Sequence, residues 1–209
     1  MKFLFIGDSI TDAFRKPEEQ NLAFQLGNGY VFLIAAHLDY QHPDHDRQYI
    51  NRGVSGETLA QVMRRWQRDV LSQVPDILTL LIGVNEVIQH QNHNHPLDVA
   101  TFSSNLHKTL DATRKQLPSS RLVLLEPFLV QAGKVTSEWQ KQLEPFQQAL
   151  RTAAERFDAT FIPLQEPFDQ GSKRASPSYW SFDGIHPTPA GFKLIANEWL
   201  SFMEESSTS

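Results

Sequence analysis

The sequence predicts an α/β fold built on a parallel sheet that helices cover on both faces. Short apolar runs alternate along the chain with longer segments in which apolar residues recur every three or four positions. The short runs lack a polar face, as is typical of strands buried on both sides. Repeated strand–helix alternation connects parallel strands through right-handed crossovers, and we therefore expect all strands to be parallel.

Five of the short apolar runs are the predicted strands. They are continuously apolar rather than alternating, which again indicates burial on both faces. In chain order they are Phe3–Ile6, Tyr49–Ile50, Ile77–Ile82, Leu122–Leu125 and Phe161–Ile162.

In the segments between these strands, apolar residues recur at the spacing of a helix. The stripes are Leu59, Val62, Trp66 and Val70, then Phe102, Leu106 and Leu110, then a longer one from Trp139 to Phe157. The last helix is expected to follow Thr188 as its N-cap, with Pro189 in its first position. Residues 83–96 and 163–187 lack this spacing and are predicted to be long loops, which in a compact domain are more often functional than accidental.

The composition agrees with a single domain. The chain has 209 residues, of which 40% are hydrophobic, and Phe is the dominant aromatic residue with 14 copies. This supplies a substantial core and argues against disorder. Since no repeat or linker divides the chain, we predict one domain over residues 1–203 and a polar tail over residues 204–209.

Charge and cysteine content exclude several classes of function. The chain has 19 basic and 24 acidic residues and a net charge of −5. It therefore lacks the excess of basic residues with which proteins bind nucleic acid. It has no cysteine, which excludes disulfides, thiol nucleophiles and cysteine-bound metals. The first apolar run ends at Ile6, shorter than a signal-peptide core, and no apolar segment approaches the length of a membrane span. We therefore expect a cytoplasmic protein without a membrane span.

Polar motifs follow the first three predicted strands, where open parallel sheets bind their ligands. The first motif is Gly7-Asp8-Ser9, the second is Asn51-Arg52-Gly53, and the third is Gly83-Val84-Asn85-Glu86. A serine at a strand end, with a helix beginning behind it, has main-chain N–H groups around its hydroxyl. The alternative for the first motif is a plain helix N-cap, and for Asn85 a turn residue.

A fourth motif, Asp183-Gly184-Ile185-His186, precedes the last helix. An aspartate three residues before a histidine can lie beside the imidazole, fix its tautomer and stabilise its protonated form. Serine needs such a base to become a nucleophile. The four motifs in this order therefore indicate a site in which Ser9 is activated by His186.

As a set, these motifs resemble those of the SGNH hydrolases, also called GDSL-type esterases and lipases. The resemblance runs from Gly7 to about Gly191 and implies a flavodoxin-like three-layer α/β/α sandwich with a five-stranded parallel sheet. It implies a triad of Ser9, His186 and Asp183. It also implies an oxyanion hole formed by the N–H groups of Ser9 and Gly53 and the side chain of Asn85. Neither a metal nor a cofactor is required.

One residue departs from the family pattern. The third motif of the family usually ends in Asp, whereas this chain has Glu86. That position supports the loop rather than reacting, and the predicted nucleophile is unaffected. Residues predicted to line the substrate pocket are Asp8, Arg52, Glu86, Tyr179 and Trp180, with an ion pair to a nearby acid as the alternative for Arg52 and loop packing for the two aromatic residues.

The predicted substrate is a small-molecule carboxylic ester with a short acyl group. The segment from Tyr179 to Gly191 is similar to that of family members that resemble carbohydrate acetylesterases, which favours acetylated sugars. The alternatives are a lysophospholipase or acyl thioesterase of the same family, and a non-catalytic glycan-binding protein. The cluster His90, His93 and His95 is interpreted as a solvated loop rather than a metal site, because its neighbours are amides.

Overall fold

The centre of the molecule is a five-stranded sheet in which every pair of neighbouring strands is parallel. The computed structural model describes residues 1–205, and the strand order is β2-β1-β3-β4-β5. The strands are β1 (Lys2–Gly7), β2 (Gln48–Gly53), β3 (Ile77–Leu81), β4 (Arg121–Leu125) and β5 (Thr160–Ile162). The predicted fold class is therefore confirmed, and the order is that of flavodoxin-like sheets.

Helices connect successive strands and cover the sheet. They are α1 (Ser9–Asp12), α2 (Leu22–Leu26), α3 (Tyr30–Gln41), α4 (Leu59–Arg64), α5 (Trp66–Asp69), α6 (Val84–His93), α7 (Val99–Gln116), α8 (Ser137–Arg156), α9 (Gln165–Arg174), α10 (Pro177–Trp180) and α11 (Pro189–Glu205), with a short 3-10 helix at Leu71–Gln73. Among these, α3 packs against α11, while α7 packs against α4 and α8.

The core between the sheet and α11 is aromatic. Trp199 of α11 packs against Phe3 and Phe5 of β1, with ring centroids 6.1 and 5.8 Å away. Its indole N–H donates to the Thr79 hydroxyl of β3 over 3.1 Å, which satisfies a polar atom inside the core. The alternate residues Leu4 and Ile6 are also fully buried. Both faces of β1 are thus covered, as its apolar run predicts.

The two predicted loops are instead largely helical. Residues 83–96 contain α6, in which Val84, Asn85 and Val87 are buried while Asn92 and His93 are exposed. Residues 163–187 contain α9 and α10, and Phe168 is the buried anchor of α9. Both predictions were wrong because a short helix with two or three buried positions has too little apolar periodicity to be recognised.

The C-terminal boundary also differs from the prediction. Helix α11 continues to Glu205, so the first two residues of the predicted polar tail are helical. The rest of that tail, residues 206–209, lies outside the described residues. Within residues 1–205, each helix is too short or too polar to cross a bilayer.

Candidate active site

Ser9 lies at the first position of α1, directly beyond the carboxyl end of β1. Asp8 is the N-cap of this helix, and its Oδ1 accepts a hydrogen bond from the Ile10 N–H over 3.0 Å. Gly7 lets the end of β1 lie close to β3, because a Cβ at this position would lie 2.2 Å from the Leu81 carbonyl oxygen. The predicted N-cap is therefore Asp8, and Ser9 occupies the first helical position, where the sequence predicts a nucleophile.

A chain of hydrogen bonds joins Ser9 to His186 and Asp183. The Ser9 Oγ lies 3.0 Å from His186 Nε2, and His186 Nδ1 lies 2.7 Å from Asp183 Oδ2. Because the ionised carboxylate can only accept, Nδ1 carries the proton and Nε2 is left to accept from the serine hydroxyl. The structure thus brings these three predicted residues together in the order that nucleophile activation needs.

The Asp183 carboxylate is held by its own loop. Its Oδ1 accepts from the main-chain N–H groups of Ile185 and His186 over 2.9 and 2.7 Å. Burial opposes its ionisation, but the bonds from the His186 ring and from these N–H groups outweigh burial and lower the pKa of Asp183. It therefore remains an anion that can stabilise a protonated imidazole.

Asn85 lies in the first turn of α6, beyond the end of β3. Gly83 turns the chain with a φ of +129°, a conformation that favours glycine. The Asn85 Nδ2 donates one of its two hydrogens to the Glu57 carbonyl oxygen over 3.0 Å. This bond ties the end of β3 to the loop that follows β2, and it leaves the second hydrogen for a ligand.

The predicted role of Gly53 in an oxyanion hole is wrong. Its N–H donates to Asn51 Oδ1 over 2.8 Å and is therefore already satisfied. The need for glycine at this position is steric, since a Cβ here would lie 2.2 Å from the Asp12 main-chain nitrogen. Gly53 instead allows α1, which carries Ser9, to approach the end of β2.

A second glycine, Gly56, has the properties that Gly53 lacks. It is exposed, its φ is +82°, and none of the described residues accepts a hydrogen bond from its N–H. It directly precedes Glu57, whose carbonyl oxygen binds Asn85. Gly56 was not among the site residues predicted from the sequence, although the Thr58–Gln61 capping box that starts α4 marks the end of its loop.

Two buried acids, Asp8 and Glu86, flank this region from β1 and from α6. The pKa of each is raised to about 7, chiefly by burial, and the nearby Glu86 carboxylate contributes to the rise at Asp8. Glu86 Oε1 accepts from the Leu59 N–H over 2.9 Å, so Glu86 supports the loop before α4, as expected for its position. Asp8 is only 1% exposed, which contradicts the prediction that it lines the substrate pocket.

The other predicted pocket residues lie away from the triad. The Arg52 side chain faces a groove along the open edge of β2, and its Nε is buried without an acceptor among the described residues. Tyr179 and Trp180 line a groove between α9 and α11, where the indole packs on Gly171. The aromatic residue beside the triad is Phe182, which is 61% exposed and stacks on His186 with ring centroids 5.8 Å apart.

The histidine cluster of α6 has ordinary local partners. His90 Nδ1 lies 2.7 Å from the carbonyl oxygen of His95, and His95 Nδ1 lies 3.2 Å from the Gln89 side chain. In the part of the chain that the structure describes, no three metal-ligating side chains lie close enough to share an ion. His90 and His93 are on a helix rather than in the predicted loop.

Comparison with known proteins agrees with this geometry. The model of the GDSL-like lipase/acylhydrolase family matches residues 5–194. The chain belongs to this family. It is 29% identical to an acetylxylan esterase of Geobacillus stearothermophilus, with 95% of this chain and 92% of that protein covered. It is accordingly a carboxylic ester hydrolase of the GDSL/SGNH type.

Solved structures of this family superpose closely on the chain. A protein described as a GDSL-like lipase from Parabacteroides merdae matches with a TM-score of 0.92 and 36% identity over 96% of this chain and 94% of that one. Axe2, an acetylxylan esterase from Geobacillus stearothermophilus, matches with a TM-score of 0.87 and 27% identity over 96% and 93% of the two chains.

Proposed function

We propose that this GDSL/SGNH esterase removes short acyl groups, acetyl above all, from carbohydrate esters through an acyl-enzyme. The observation that carries the proposal is the unbroken hydrogen-bond chain from Ser9 Oγ through the His186 ring to Asp183. This chain supports a nucleophile at Ser9, a base at His186 and an orienting carboxylate at Asp183.

The reaction follows from these positions. Ser9 Oγ attacks the ester carbonyl carbon while His186 Nε2 takes the hydroxyl proton, and Asp183 stabilises the imidazolium. His186 then returns the proton to the departing alcohol, which leaves an acyl group on Ser9. A water molecule, deprotonated by His186, attacks this second ester, and the carboxylic acid leaves as Ser9 recovers its proton.

Three donors would meet the charge that develops on the carbonyl oxygen. They are the N–H groups of Ser9 and Gly56 and the second hydrogen of Asn85 Nδ2. Neither N–H is bonded to another of the described residues, and Asn85 is fixed by its bond to Glu57. Donors held in place before the reaction stabilise an oxyanion without reorganisation, and each is worth roughly 10²–10³ in kcat.

The surroundings of the triad support a small acyl group on a large alcohol. The side chains of His186 and Asp183 are 38% and 34% exposed, so the triad lies at an open surface rather than in a channel that encloses a long chain. The exposed Phe182 ring offers a flat face to a sugar beside His186. The matched protein sequence and the matched Axe2 structure, both from Geobacillus stearothermophilus, are named as acetylxylan esterase.

A substrate panel tests this proposal. The purified protein is assayed on p-nitrophenyl acetate, butyrate and octanoate, and acetate release is measured from acetylated xylo-oligosaccharides. We expect kcat/KM to fall from acetate to octanoate and the oligosaccharides to be deacetylated. Ser9→Ala should abolish turnover and labelling by a serine-directed phosphonate, whereas Ser72→Ala, at an exposed serine bonded to Gln67, should change neither. Preference for octanoate would contradict the acyl assignment, and full turnover by Ser9→Ala would contradict the mechanism.

A further inference from the structure

A buried arginine lies behind the loops that carry the proposed oxyanion donors. Arg65 links the end of α4 to the start of α5, and it is 8% exposed. Among the residues that the structure describes, its hydrogen-bond partners do not include Ser9, His186 or Asp183. It touches instead the backbone and side chains on which the proposed donors depend.

All three nitrogens of the Arg65 guanidinium have partners. Its Nε donates to Glu57 Oε2 over 2.7 Å, and its Nη2 forms an ion pair with the same oxygen over 2.6 Å. Its Nη1 donates to the Arg52 carbonyl oxygen over 2.8 Å and to Asp69 Oδ2 over 3.0 Å. Its Nη2 makes a longer contact of 3.4 Å to the Gly7 carbonyl oxygen. Four of the five hydrogens in this planar fork are thus engaged in hydrogen bonds.

The acceptors belong to three separate segments of the proposed oxyanion hole. Gly7 ends β1 two residues before Ser9, and its carbonyl oxygen also accepts from Val54 over 3.0 Å. Arg52 precedes Gly53 at the end of β2. Glu57 follows Gly56 directly, and its carbonyl oxygen binds Asn85. One side chain therefore connects the supports of Ser9, Gly56 and Asn85.

The charges around Arg65 keep it fixed. Glu57 and Asp69 both pair with it, and the exposed Arg68 also pairs with Asp69. Burial of Asp69 favours its neutral form, but bonds from Arg68 and Arg65 outweigh this effect and lower its pKa. The cluster is thus two arginines balanced by two carboxylates, and the charge-assisted hydrogen bonds within it add direction as well as attraction.

We propose that Arg65 is a positioning residue that sets the distance between the Ser9 and Gly56 N–H groups and the Asn85 amide. This inference rests on the proposed function, because it assigns a support to the donors named there. Small displacements of such donors cost about 10²-fold in rate, since they act on charge that exists only in the transition state. Loss of Arg65 should therefore lower kcat more than it changes KM.

A lysine cannot replace this arrangement. Its single ammonium keeps the charge but donates from one point, so it cannot reach Glu57, Arg52 and Gly7 together. Arg65→Lys therefore separates positioning from charge. The chain also offers a matched control in Arg114. It holds the carbonyl oxygens of Ser120, Phe157 and Asp158 with bonds of 2.6–2.9 Å and lies near the start of β4 rather than near the triad.

The experiment compares Arg65→Lys with Arg114→Lys on p-nitrophenyl acetate, with melting temperature and phosphonate labelling rate measured for both. Arg65→Lys should lower kcat and the labelling rate by roughly 30- to 300-fold, with KM changed less than about threefold. Arg114→Lys should lower the melting temperature but leave kcat within about twofold of the parent protein.

The outcomes separate this inference from the proposed function. If folded Arg65→Lys keeps kcat within about twofold while Ser9→Ala is inactive, the positioning role is wrong and the mechanism stands. If both arginine variants lose kcat in proportion to stability, Arg65 has a structural role only and the inference fails. If Arg65→Lys does not fold, Glu57→Gln, which keeps the shape of that side chain and removes its charge, replaces it with an expected loss of about tenfold in kcat. Unchanged kcat in Glu57→Gln would then overturn the proposal.

Discussion

The difference between Gly53 and Gly56 depends on a single side chain. Asn51 Oδ1 accepts the N–H of Gly53, and the two hydrogens of its Nδ2 bind the carbonyl oxygens of Thr11 and Leu26. Asn51 thereby joins α1, α2 and β2. Its Oδ1 also occupies the Gly53 N–H, the donor that was predicted from the sequence to bind the oxyanion. Gly56, three residues later, keeps its N–H unbonded among the described residues.

Among single residues, Asn85 gives the most direct test of the donors proposed for the oxyanion. Asn85→Ala should lower kcat by roughly 10²–10³-fold with little change in KM, because the lost hydrogen bond forms only to the transition-state oxyanion. Steady-state kinetics on p-nitrophenyl acetate measure this loss, and far-ultraviolet circular dichroism checks that the variant is folded. A loss smaller than about threefold in a folded variant would show that Asn85 does not bind the oxyanion.

The hydrogen-bond partners of His186 could be predicted from the sequence, whereas those of the glycines could not. Asp183 lies three residues before His186, and this spacing alone limits their distance. The state of a main-chain N–H depends on contacts between segments that are distant in sequence. Nothing in the order of residues shows that Asn51 folds back onto Gly53 rather than facing solvent.

Among the helices, α8 contains an interior proline, and its buried apolar residues stabilise the helix in spite of it. Pro145 lies in the middle of this 20-residue helix, on its exposed side. Proline lacks the N–H that would bind the preceding turn and its ring crowds that turn, which costs about 3 kcal/mol in a helix interior. The buried residues Leu143, Phe146 and Leu150 on the opposite side hold the helix together across this defect.

Pro145→Ala should therefore stabilise the protein. We expect the free energy of unfolding to rise by about 1–3 kcal/mol, less the part lost because alanine frees the unfolded chain. Urea unfolding of the parent and the variant measures the change, and esterase activity should be equal in both. A fall in stability would mean that the proline ring makes contacts on the helix surface that outweigh the missing hydrogen bond.

The sequence predicted the strands more reliably than the short helices. Strand Ile77–Leu81 is buried at every position, and its nearly continuous apolar run was sufficient to predict it. By contrast, α9 has only Phe168 and Gly171 buried, and its remaining residues are consistent with a loop. Helices of this kind are stabilised by contacts from outside, such as the Glu126 carboxylate that accepts from the N–H groups of Leu164 and Gln165 at the start of α9, each over 2.9 Å.

At the scale of the whole molecule, Asp8 and Glu86 make stability depend on pH. Their ordinary pKa values are 3.8 and 4.5, and burial raises both to about 7 in the folded protein. Below pH 4 both carboxyl groups are protonated in the folded and in the unfolded chain, so their ionisation does not lower stability. As the pH rises from about 4 to 7, the two carboxyl groups ionise in the unfolded chain before they ionise in the folded protein. The free energy of unfolding therefore falls over this range and stays low above pH 7.

The double variant Asp8→Asn, Glu86→Gln should remove this dependence. Its melting temperature should change less than that of the parent between pH 5 and 8, and the difference between the two proteins should grow as the pH rises. Differential scanning calorimetry at fixed ionic strength measures both curves. Parallel curves would show that these carboxyl groups ionise in the folded state as readily as in water.

The topology of the site has a consequence for biosynthesis. Ser9 and His186 are 177 positions apart, and α11, which buries Trp199 against β1, follows both. During translation the proposed nucleophile leaves the ribosome long before its proposed base is made. A nascent chain interrupted before His186 contains an unactivated serine, so ester hydrolysis begins only when synthesis has passed the fourth motif. Truncated products of this gene should therefore be chemically inert toward esters in the cell.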